Sequence, residues 1–460
     1  MKIAIAQINP IVGDLEYNYN KHIEYIDKAI HNSCDLIIFP ELSMCGYPPL
    51  DLLEDDHFIG DIEEHVKNLA LKYEHNNINI IVGGAYIPEE EGRIQNCALH
   101  LYAGLVYHTV GKQLLPTYNI FDEQRYFNPG SGYWNKCLMD IGDEKDNNRI
   151  NVGILICEDI WAEEDNRYMY NPIEQLFRGN GKVDFIISIN ASPSNIGKQS
   201  YREEMLSRLS KKYDTTIIYV NQVGANDDLI FDGNSMVYDK GVCKMQLGEF
   251  IEDYEVIKIN DNGNVEIDIT GNGLFASPTY MTRNKLENKS KLYYNHIILG
   301  IRDYCNKLGF KKVVIGESGG IDSALVTALA VDALGSDNVI AITMPSEYSS
   351  KGSWADSEIL CNNLGVKLYD IEIKELFDQY KYGYNLYINK INNNLTSENL
   401  QARIRANILM MYSNDNNALL LSTSNKSESS VGYTTYLGDM SGGLAPISDI
   451  YKTEVWELSK

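Results

Sequence analysis

Short apolar runs separated by amphipathic segments make up the first part of the chain. The apolar runs are rich in β-branched residues, and most end near Gly, Asn, Asp or Glu: KIAIAQI, CDLIIFPE, INIIVGGAYI, RIQNCALHLY, RINVGILICED, VDFIISINAS and TTIIYVNQVG. This pattern predicts buried strands. Residues 18–31 and 200–213 have the apolar spacing of helices, and DGNSMVYDKGVC predicts a hairpin that turns at residues 239–241. The first part of the chain is therefore predicted to be α/β, with sheets packed under helices.

The pattern changes between residues 266 and 290, where DITGNGLFASPTYMTRNKLENKS has no sustained apolar period. After this stretch comes a helical pattern near 292–308, followed by a strand, a Gly-rich turn and a helix in KKVVIGESGGIDSALVTALAVDAL. The strand patterns NVIAITMPS, VKLYDIEI and ALLLSTS then alternate with helical patterns at 353–364 and 397–412. Such alternation predicts a doubly wound parallel sheet. We therefore expect two domains, 1–265 and 291–460, joined by a linker at 266–290.

Composition narrows the classes of function. The hydrophobic fraction of 44% and charged fraction of 23% are typical of a globular enzyme and not of a disordered chain. Acidic residues outnumber basic ones by 64 to 40, so the net charge of −24 argues against nucleic acid and acidic membranes as partners. No secretory signal opens the sequence, and no run reaches the ~18 apolar residues of a membrane span. The cysteines contain no CxxC pair, and we expect a cytoplasmic protein.

The turn SGGIDS at residues 318–323 lies directly between a predicted strand and a predicted helix. Its glycines allow a tight turn that points N–H groups at an anion, and its serines and the helix N-terminus add further donors and partial positive charge. The turn therefore predicts a phosphate cradle in which Asp322 holds Mg²⁺. It lacks the spacing of a Walker loop, and the chain has no GxGxxG after a strand. The alternative is a Ser/Asp helix cap that follows a glycine turn.

SGGIDS resembles the pyrophosphate-binding loop of the N-type ATP pyrophosphatases, which adenylate a substrate and release pyrophosphate. NLQARIRANILM, STSNKSESSVGY and GDMSGGLAPISDIYKT are similar to segments of the NAD synthetase family across residues 291–460. The resemblance implies that ATP is bound by Ser318, Gly319, Gly320, Asp322, Ser323 and Thr423. It also implies a deamido-NAD site formed by Asn399, Arg405, Glu428, Asp439 and Lys452, with Lys452 at the phosphates and Mg²⁺ on Asp322 and Glu428. Without the resemblance, Arg403 and Arg405 would be interpreted as solvated helix residues.

The chain departs from this family pattern at several positions. Glu317 stands where Leu is common, and a carboxylate there would repel phosphate unless it is paired or points away. Glu347 occupies a place often filled by Arg, and Cys45 replaces a usual Thr. The end at Lys460 falls inside TEVWELSK, an amphipathic helix pattern without a stop signal. We therefore expect an incomplete C-terminal domain and an impaired ligase half.

In the N-terminal half, three reactive side chains lie at or just after the ends of apolar runs. Glu41 follows CDLIIFP, Lys112 lies in YHTVGKQLLPTYNIF, and Cys157 follows NVGILI. A thiol with an ordinary pKa of ~8.5 needs a nearby base or cation before it becomes a nucleophile. The alternative for a lone cysteine at the end of a strand is an inert buried thiol.

The order Glu, Lys, Cys resembles the nitrilase superfamily, which has a four-layer α-β-β-α sandwich fold. By this resemblance Cys157 attacks the side-chain amide of glutamine, Glu41 carries the thiol proton to the leaving ammonia, and Lys112 stabilises the oxyanion. FPELSMCGYPPLDLL and KQLLPTYNIFDEQRYF are more specifically similar to the glutaminase domain of the glutamine-dependent NAD synthetases. That family places the glutamine against Tyr47, Tyr118, Glu158, Ser192 and Lys198.

Glu123 in FDEQRYF has two interpretations that the sequence leaves open. By analogy with other nitrilases it is an additional carboxylate that supports the active site. Alternatively, it forms an ordinary salt bridge with Arg125.

Together the two resemblances imply that the protein amidates deamido-NAD through an adenylate, with ammonia released from L-glutamine and ATP cleaved to AMP and pyrophosphate. They also imply an ammonia tunnel, homo-oligomers and dimeric ligase domains. The alternatives are another glutamine amidotransferase of the same ATP pyrophosphatase class, or a glutaminase whose inactive ligase half is a binding scaffold.

Overall fold

The computed structural model describes residues 1–88, 92–131, 138–141, 150–164, 167–178, 183–260, 265–267, 289–346, 351–388, 391 and 393–460. The chain divides into two compact units, one at residues 1–285 and one at residues 286–460. Of the predicted linker, 266–290, all but 266–267 and 289–290 lies outside the described residues. In the part of the chain that is described, no helix is long and apolar enough to span a membrane.

The first unit alternates strands and helices as the apolar pattern predicts. Its helices are α1 (Leu15–His31), α2 (Asp56–Lys72), α3 (Glu123–Tyr126), α4 (Pro172–Arg178) and α5 (Lys198–Lys212), with 3-10 helices at Leu50–Glu54 and Cys157–Trp161. Its strands are β1 (Lys2–Gln7), β2 (Leu36–Ile38), β3 (Asn79–Tyr86), β4 (Gln95–Tyr102), β5 (Leu105–Gly111), β6 (Leu138–Ile141), β7 (Ile150–Ile156), β8 (Phe185–Asn190), β9 (Thr216–Asn221), β10 (Val223–Asn226), β11 (Leu229–Asp232), β12 (Met236–Asp239), β13 (Val242–Gln246), β14 (Asp253–Ile259) and β15 (Val265–Ile267).

Two large sheets form the centre of this unit. Among the described residues, one has the order β15-β14-β1-β2-β3-β4-β5 and the other the order β13-β12-β9-β8-β7-β6. The inner faces share one apolar cluster, in which Ile3 and Ile5 of β1 join Ile154 and Ile187 of the second sheet. Because side chains alternate along a strand, Ala4 of β1 belongs instead to the cluster that contains α1 and α2. The predicted four-layer α-β-β-α sandwich is confirmed.

The predicted hairpin joins β12 and β13. Asp239 pairs with Val242, so Lys240 and Gly241 form a two-residue loop. Both loop residues have positive φ, 50° and 90° respectively. These values are typical of the turns whose twist matches that of an antiparallel pair, and Gly adopts them without steric cost.

The second unit is a parallel sheet of order β18-β17-β16-β19. Val313 and Ile315 of the central strand pack on one face, whereas Val314 packs on the other. The chain adds β17 and β18 on one side of β16 and then β19 on its other side. The strand order therefore reverses at β16, and ligands bind such sheets at the carboxyl end of this position. The strands are β16 (Lys312–Gly316), β17 (Val339–Thr343), β18 (Lys367–Asp370) and β19 (Ala418–Leu421). The helices are α6 (Lys289–Lys307), α7 (Ile321–Leu334), α8 (Lys351–Leu364), α9 (Lys374–Tyr387), α10 (Asn394–Asn416), α11 (Lys426–Val431) and α12 (Lys452–Leu458).

The backbone that carries Glu41 lies directly against Gly83 of β3. Met44 donates its N–H to the Gly83 carbonyl at 2.9 Å. A Cβ on Gly83 would overlap the carbonyl oxygen of Pro40 and the amide nitrogen of Leu42. A glycine is therefore required at this position by the close approach of two backbones.

We expect Gly83→Ala to lower the free energy of unfolding by roughly 2 kcal/mol or more, because backbone atoms must move. Gly60→Ala is the matched control, since Gly60 lies in α2 and a Cβ there meets nothing within 4 Å. It should raise stability by ~0.5 to 1 kcal/mol, the usual gain of Ala over Gly in a helix. Thermal unfolding of both variants tests this, and equal effects of the two substitutions would contradict it.

Candidate active sites

The predicted reactive side chains of the first unit lie together at strand ends. Glu41 comes shortly after β2, Lys112 directly after β5, and Cys157 directly after β7. Glu41 and Lys112 are fully buried, and Cys157 is 8% exposed. Lys112 Nζ lies 2.7 Å from Glu41 Oε1. The charges of Glu41 and Lys112 both act on the Cys157 thiol, so the three predicted residues form one site.

Both oxygens of Glu41 are held by defined donors. Oε1 accepts a hydrogen bond from Asn96 Nδ2 at 2.8 Å in addition to the one from Lys112. Oε2 accepts from the backbone N–H of Ala191 at 2.7 Å. Since Asn96 lies on β4 and Ala191 follows β8, both sheets fix the orientation of this carboxylate.

Glu123 is the second carboxylate of the site. Its Oε1 lies 2.7 Å from Lys112 Nζ and accepts a hydrogen bond from the Tyr47 hydroxyl at 3.0 Å. The alternative pairing of Glu123 with Arg125 is wrong, because Arg125 pairs with two exposed carboxylates, those of Asp51 and Glu54. Burial raises the pKa of Glu123 to about 7, against the opposing effect of Lys112. Lys112 therefore lies between two buried carboxyl groups.

Cys157 begins the 3-10 helix that follows β7 and has a φ of 44°, a strained value for a residue with a side chain. Burial raises the pKa of its thiol well above the usual value, and the Glu41 carboxylate raises it further. Lys112 lowers this pKa, but its charge is shared between two carboxyl groups. Of the two ways to activate a thiol, the geometry therefore favours an adjacent base over a cation.

Asp159 is a buried carboxyl group whose role the sequence did not reveal. Its Oδ1 accepts from the N–H groups of Gln113 and Leu114 at 3.0 and 2.8 Å, and its Oδ2 accepts from Ile156 N at 3.1 Å. Burial raises its pKa to about 7. Asp159 thereby ties the turn that carries Cys157 to the backbone that follows Lys112.

A second polar group surrounds Glu158, next to Cys157. Oε1 of Glu158 accepts from the hydroxyls of Tyr118 at 2.9 Å and Tyr168 at 2.7 Å. Arg167 stacks over the Tyr118 ring, with Cζ 3.5 Å from the centroid. The structure thus brings the predicted pair Tyr118 and Glu158 together and adds Tyr168, for which no motif gave a signal.

Lys198 and Ser192 were also predicted to hold the amino acid. Lys198 Nζ lies 3.7 Å from the Trp161 ring centroid, and burial lowers its pKa although Cys157 and Glu158 act in the opposite direction. The Ser192 carbonyl accepts from the buried Arg202 at 2.7 Å. Arg202 in turn pairs with Asp232 at 2.7 Å, a contact that sequence reasoning missed.

The turn at residues 318–323 in the second unit is closely packed. Gly319 has a φ of 75°, and a Cβ there would overlap the backbone of Ser353. The hydroxyls of Ser318 and Ser323 lie 3.1 Å apart. Glu317 is 1% exposed, and its carboxylate accepts hydrogen bonds from Gly319 and Ser323 of this turn, so it is directed at the turn and not away from it. Glu347, the other unusual acidic residue, lies outside the described residues.

Asp322, in the first turn of α7, is the centre of a cluster of polar side chains. It forms an ion pair with Lys452 through Oδ2, and its Oδ1 accepts from Asn425 Nδ2 at 3.0 Å. Glu428 accepts from Asn425 N at 3.0 Å and caps α11. The predicted metal ligands Asp322 and Glu428 are therefore linked through Asn425, which the sequence did not single out. Within the described ranges no group of three or more His, Cys, Asp or Glu side chains could hold a metal.

A cavity of about 610 Å³ opens at the carboxyl edge of the parallel sheet. Its lining includes the predicted residues Ser318, Arg405, Thr423 and Asp439. Arg405 is partly buried and donates from Nε to the Met344 carbonyl at 3.0 Å, so the interpretation of this side chain as solvated is wrong.

Asn399 and Asp439 meet at Thr435 beside this cavity. Asn399 Oδ1 accepts from the Thr435 hydroxyl at 3.0 Å, and Asp439 Oδ1 accepts from Thr435 N at 2.6 Å. Arg403, on the same helix as Arg405, is exposed and donates to the Tyr436 carbonyl at 3.2 Å.

Comparison with known proteins identifies the two units. The carbon-nitrogen hydrolase family matches residues 2–260, and the NAD synthase family matches residues 293–460. A glutamine-dependent NAD(+) synthetase from Synechocystis is 38% identical over 468 residues, with 100% of this chain and 80% of the relative covered. The enzyme of that name from Aquifex aeolicus is 36% identical, with 100% of this chain and 81% of the relative covered.

Solved structures give the same result. The glutamine-dependent NAD+ synthetase of Acinetobacter baumannii in complex with ADP has a TM-score of 0.86 and 36% identity, over 99% of this chain and 81% of that one. The synthetase of Cytophaga hutchinsonii, at 21% identity and a TM-score of 0.80 over 100% of this chain and 80% of that one, shares the fold. The fold and these matches thus define a carbon-nitrogen hydrolase unit joined to a carbon-nitrogen ligase unit. The chain belongs to the glutamine-dependent NAD(+) synthetase family.

We expect Lys112→Met to destabilise the first unit by ~3 to 5 kcal/mol, because it leaves two buried carboxyl groups without their cation. Without Lys112, the pKa of Glu123, which burial already raises, lies further above its unfolded value, so folding takes up a proton. The loss of stability should therefore be small at low pH and grow as the pH rises from ~6 to ~8.

Lys67→Met is the control, since Lys67 forms an exposed pair with Glu63 that is worth at most ~0.5 kcal/mol. Thermal unfolding at both pH values measures the difference. A deficit independent of pH, or no larger than that of the control, would show that Lys112 does not neutralise the carboxyl pair.

Proposed function

We propose that the protein forms NAD from deamido-NAD, ATP and L-glutamine, with glutamine hydrolysed in the first unit and the amide formed in the second. The observation that carries the proposal is the buried contact of Lys112 with Glu41 and Glu123 beside the Cys157 thiol. Family membership connects this site with a ligase unit whose Gly-rich turn lies at the switch point of its sheet.

In the first unit, Cys157 Sγ attacks the carboxamide carbon of glutamine. Glu41 takes the thiol proton and transfers it to the departing nitrogen, so that ammonia leaves and a thioester remains. Water then attacks the thioester, Glu41 takes a proton from this water, and glutamate is released with the thiol restored.

Lys112 stabilises the negative oxygen of both tetrahedral intermediates. An ammonium group has three donors, and the structure uses two of them for Glu41 and Glu123. The third is available to the oxyanion, where a charge-assisted hydrogen bond in a buried site has its greatest effect. Because both carboxylates fix the direction of the ammonium group, this donor is oriented before the substrate binds.

The polar groups around Glu158 fit the free end of a glutamine. Its carboxylate, oriented by Tyr118 and Tyr168, is suited to the α-ammonium group. Lys198 offers a cation to the α-carboxylate. Arg202 holds Ser192 through hydrogen bonds to its carbonyl and hydroxyl oxygens.

The cavity of the second unit is suited to ATP, with the turn at 318–323 directed to the distal phosphates. The carboxylates of Asp322 and Glu428 are hard oxygen ligands of the kind that Mg²⁺ takes together with phosphates. Bound there, Mg²⁺ would neutralise charge on the phosphates. Arg405 and Lys452 supply further positive charge to this region.

The reaction of this unit proceeds by adenylation. The carboxylate of deamido-NAD attacks the α-phosphorus of ATP, the α–β phosphoanhydride bond breaks, and pyrophosphate leaves. Ammonia then attacks the acyl carbon of the adenylate, and AMP leaves as the amide forms. The alternative of a glutamine amidotransferase with a different acceptor uses the same steps, but the family assignment favours deamido-NAD.

We predict that Cys157→Ala forms NAD from ammonium but not from glutamine, because only glutamine hydrolysis needs the thiol. Mass spectrometry of reactions with ATP, Mg²⁺, deamido-NAD and either nitrogen source measures this. Cys243→Ala, which removes a partly buried thiol on β13, should use both sources like the unaltered chain. Continued use of glutamine by Cys157→Ala would contradict the first-unit mechanism. If the unaltered chain forms glutamate from glutamine but forms NAD from neither nitrogen source, the protein is a glutaminase with an inactive ligase half.

A further inference from the structure

The Glu317 carboxylate lies under the Gly-rich turn and accepts three hydrogen bonds, two of them from the turn. Oε1 accepts from the Gly319 N–H at 3.1 Å and from the Ser323 hydroxyl at 2.7 Å. Oε2 accepts from the Thr327 hydroxyl at 2.9 Å. The side chain is 1% exposed, and its backbone N–H extends the sheet by donating to Ile342.

Two of these donors are groups that a Gly-rich turn offers to phosphate. Gly319 N–H and the Ser323 hydroxyl belong to the turn itself and to the first turn of α7, where the helix dipole favours an anion. Glu317 is therefore an internal anion beside the position that ATP phosphates would occupy. Its charge and theirs have the same sign, so their mutual repulsion opposes ATP binding.

Among the described residues, the groups that face Glu317 do not compensate its charge. From α7 these are the neutral hydroxyls of Ser323 and Thr327, and from α8 the Cys361 thiol, whose pKa is raised by burial and by Glu317. The nearby Lys452 pairs with Asp322. Burial accordingly raises the pKa of the Glu317 carboxyl.

We propose that Glu317 sets the affinity of the second unit for ATP. Its carboxylate competes with the distal phosphates for Gly319 N–H and the Ser323 hydroxyl, and ATP binds best when Glu317 has taken up a proton from solvent. A protonated carboxyl can donate to the Thr327 oxygen, and the negative charge under the turn is gone. The proposal rests on ATP being the ligand of this unit, as in the proposed function.

Glu317→Gln tests the proposal because it removes the charge with little change of shape. The amide oxygen can still accept from Gly319 and Ser323, and the amide nitrogen can donate to the Thr327 hydroxyl. Glu375→Gln is the control, since it removes the same charge from an exposed position on α9. Isothermal titration calorimetry of the full chain with ATP and Mg²⁺, and separately with AMP, gives the affinities.

We expect Glu317→Gln to bind ATP about tenfold more tightly than the unaltered chain at pH ~8, the effect of one pKa unit in differential interaction. The gain should shrink as the pH falls toward ~6, because a larger fraction of Glu317 in the unaltered chain is then protonated. AMP, which lacks the distal phosphates, should bind both proteins equally, and Glu375→Gln should bind ATP like the unaltered chain.

A second readout does not depend on the variant. Titrations of the unaltered chain at pH ~8 in two buffers of different ionisation enthalpy should show net proton uptake on ATP binding, which Glu317→Gln abolishes. ATP binding without proton uptake, or an affinity of Glu317→Gln equal to that of Glu375→Gln, would overturn the role of Glu317 and leave the proposed function standing. Absence of ATP binding by both proteins at either pH would overturn the proposed function and this inference together.

Discussion

The buried ammonium group of Lys112, held 2.7 Å from each of two buried carboxylates, is the interaction on which the first unit depends. Removing such charges from water is costly, and the arrangement is tolerated because each group finds a partner of opposite charge. The same contacts bring together chain segments that are far apart in sequence, since Glu41 follows β2 and Lys112 follows β5. Catalytic geometry and packing of the sandwich are thus set by one network.

This network also determines how the thiol is activated. A cation paired with one carboxylate would stabilise a thiolate. Lys112 is instead shared between Glu41 and Glu123, and the Cys157 thiol is buried beside both of these carboxyl groups. In the proposed mechanism the thiol therefore keeps its proton until a substrate is in place and Glu41 removes it. The Glu41 oxygens are held by Asn96 and Ala191, so this base is directed by both sheets.

In the second unit, internal charges are bound to the groups that are suited to a ligand. Its turn, shaped by a glycine with a φ of 75°, has two of its donors bound to the Glu317 carboxylate. Asp322 is meanwhile paired with Lys452. Groups suited to phosphate and metal are therefore held by internal ions, and a ligand must compete with these ions. Because the ATP phosphates and the Glu317 carboxylate compete for the same donors, the proposed affinity for ATP depends on the protonation of Glu317.

The sequence predicted those features that have a local signature. Apolar runs marked the strands, and a turn with the SGGIDS pattern marked the switch point of the second sheet. Contacts that depend on the three-dimensional fold have no such signature. Glu123 lies two positions from Arg125 yet pairs with Lys112, because Glu123 and Lys112 are both buried whereas Arg125 is exposed. Asp159 and Asn425 were missed because their partners come from distant segments. Tyr168 was missed because its contact with Glu158, ten positions earlier, depends on the course of a loop.

The most direct test of the account is the ionisation state of Cys157 in the resting protein. The ultraviolet absorbance of a thiolate, taken as the difference between the unaltered chain and Cys157→Ala, reports this state between pH ~6 and ~9. The account predicts no thiolate from Cys157 up to the ordinary cysteine pKa, because burial and Glu41 keep the proton on sulfur. A thiolate signal that titrates below neutral pH would contradict it and would show that Lys112, and not Glu41, activates the nucleophile.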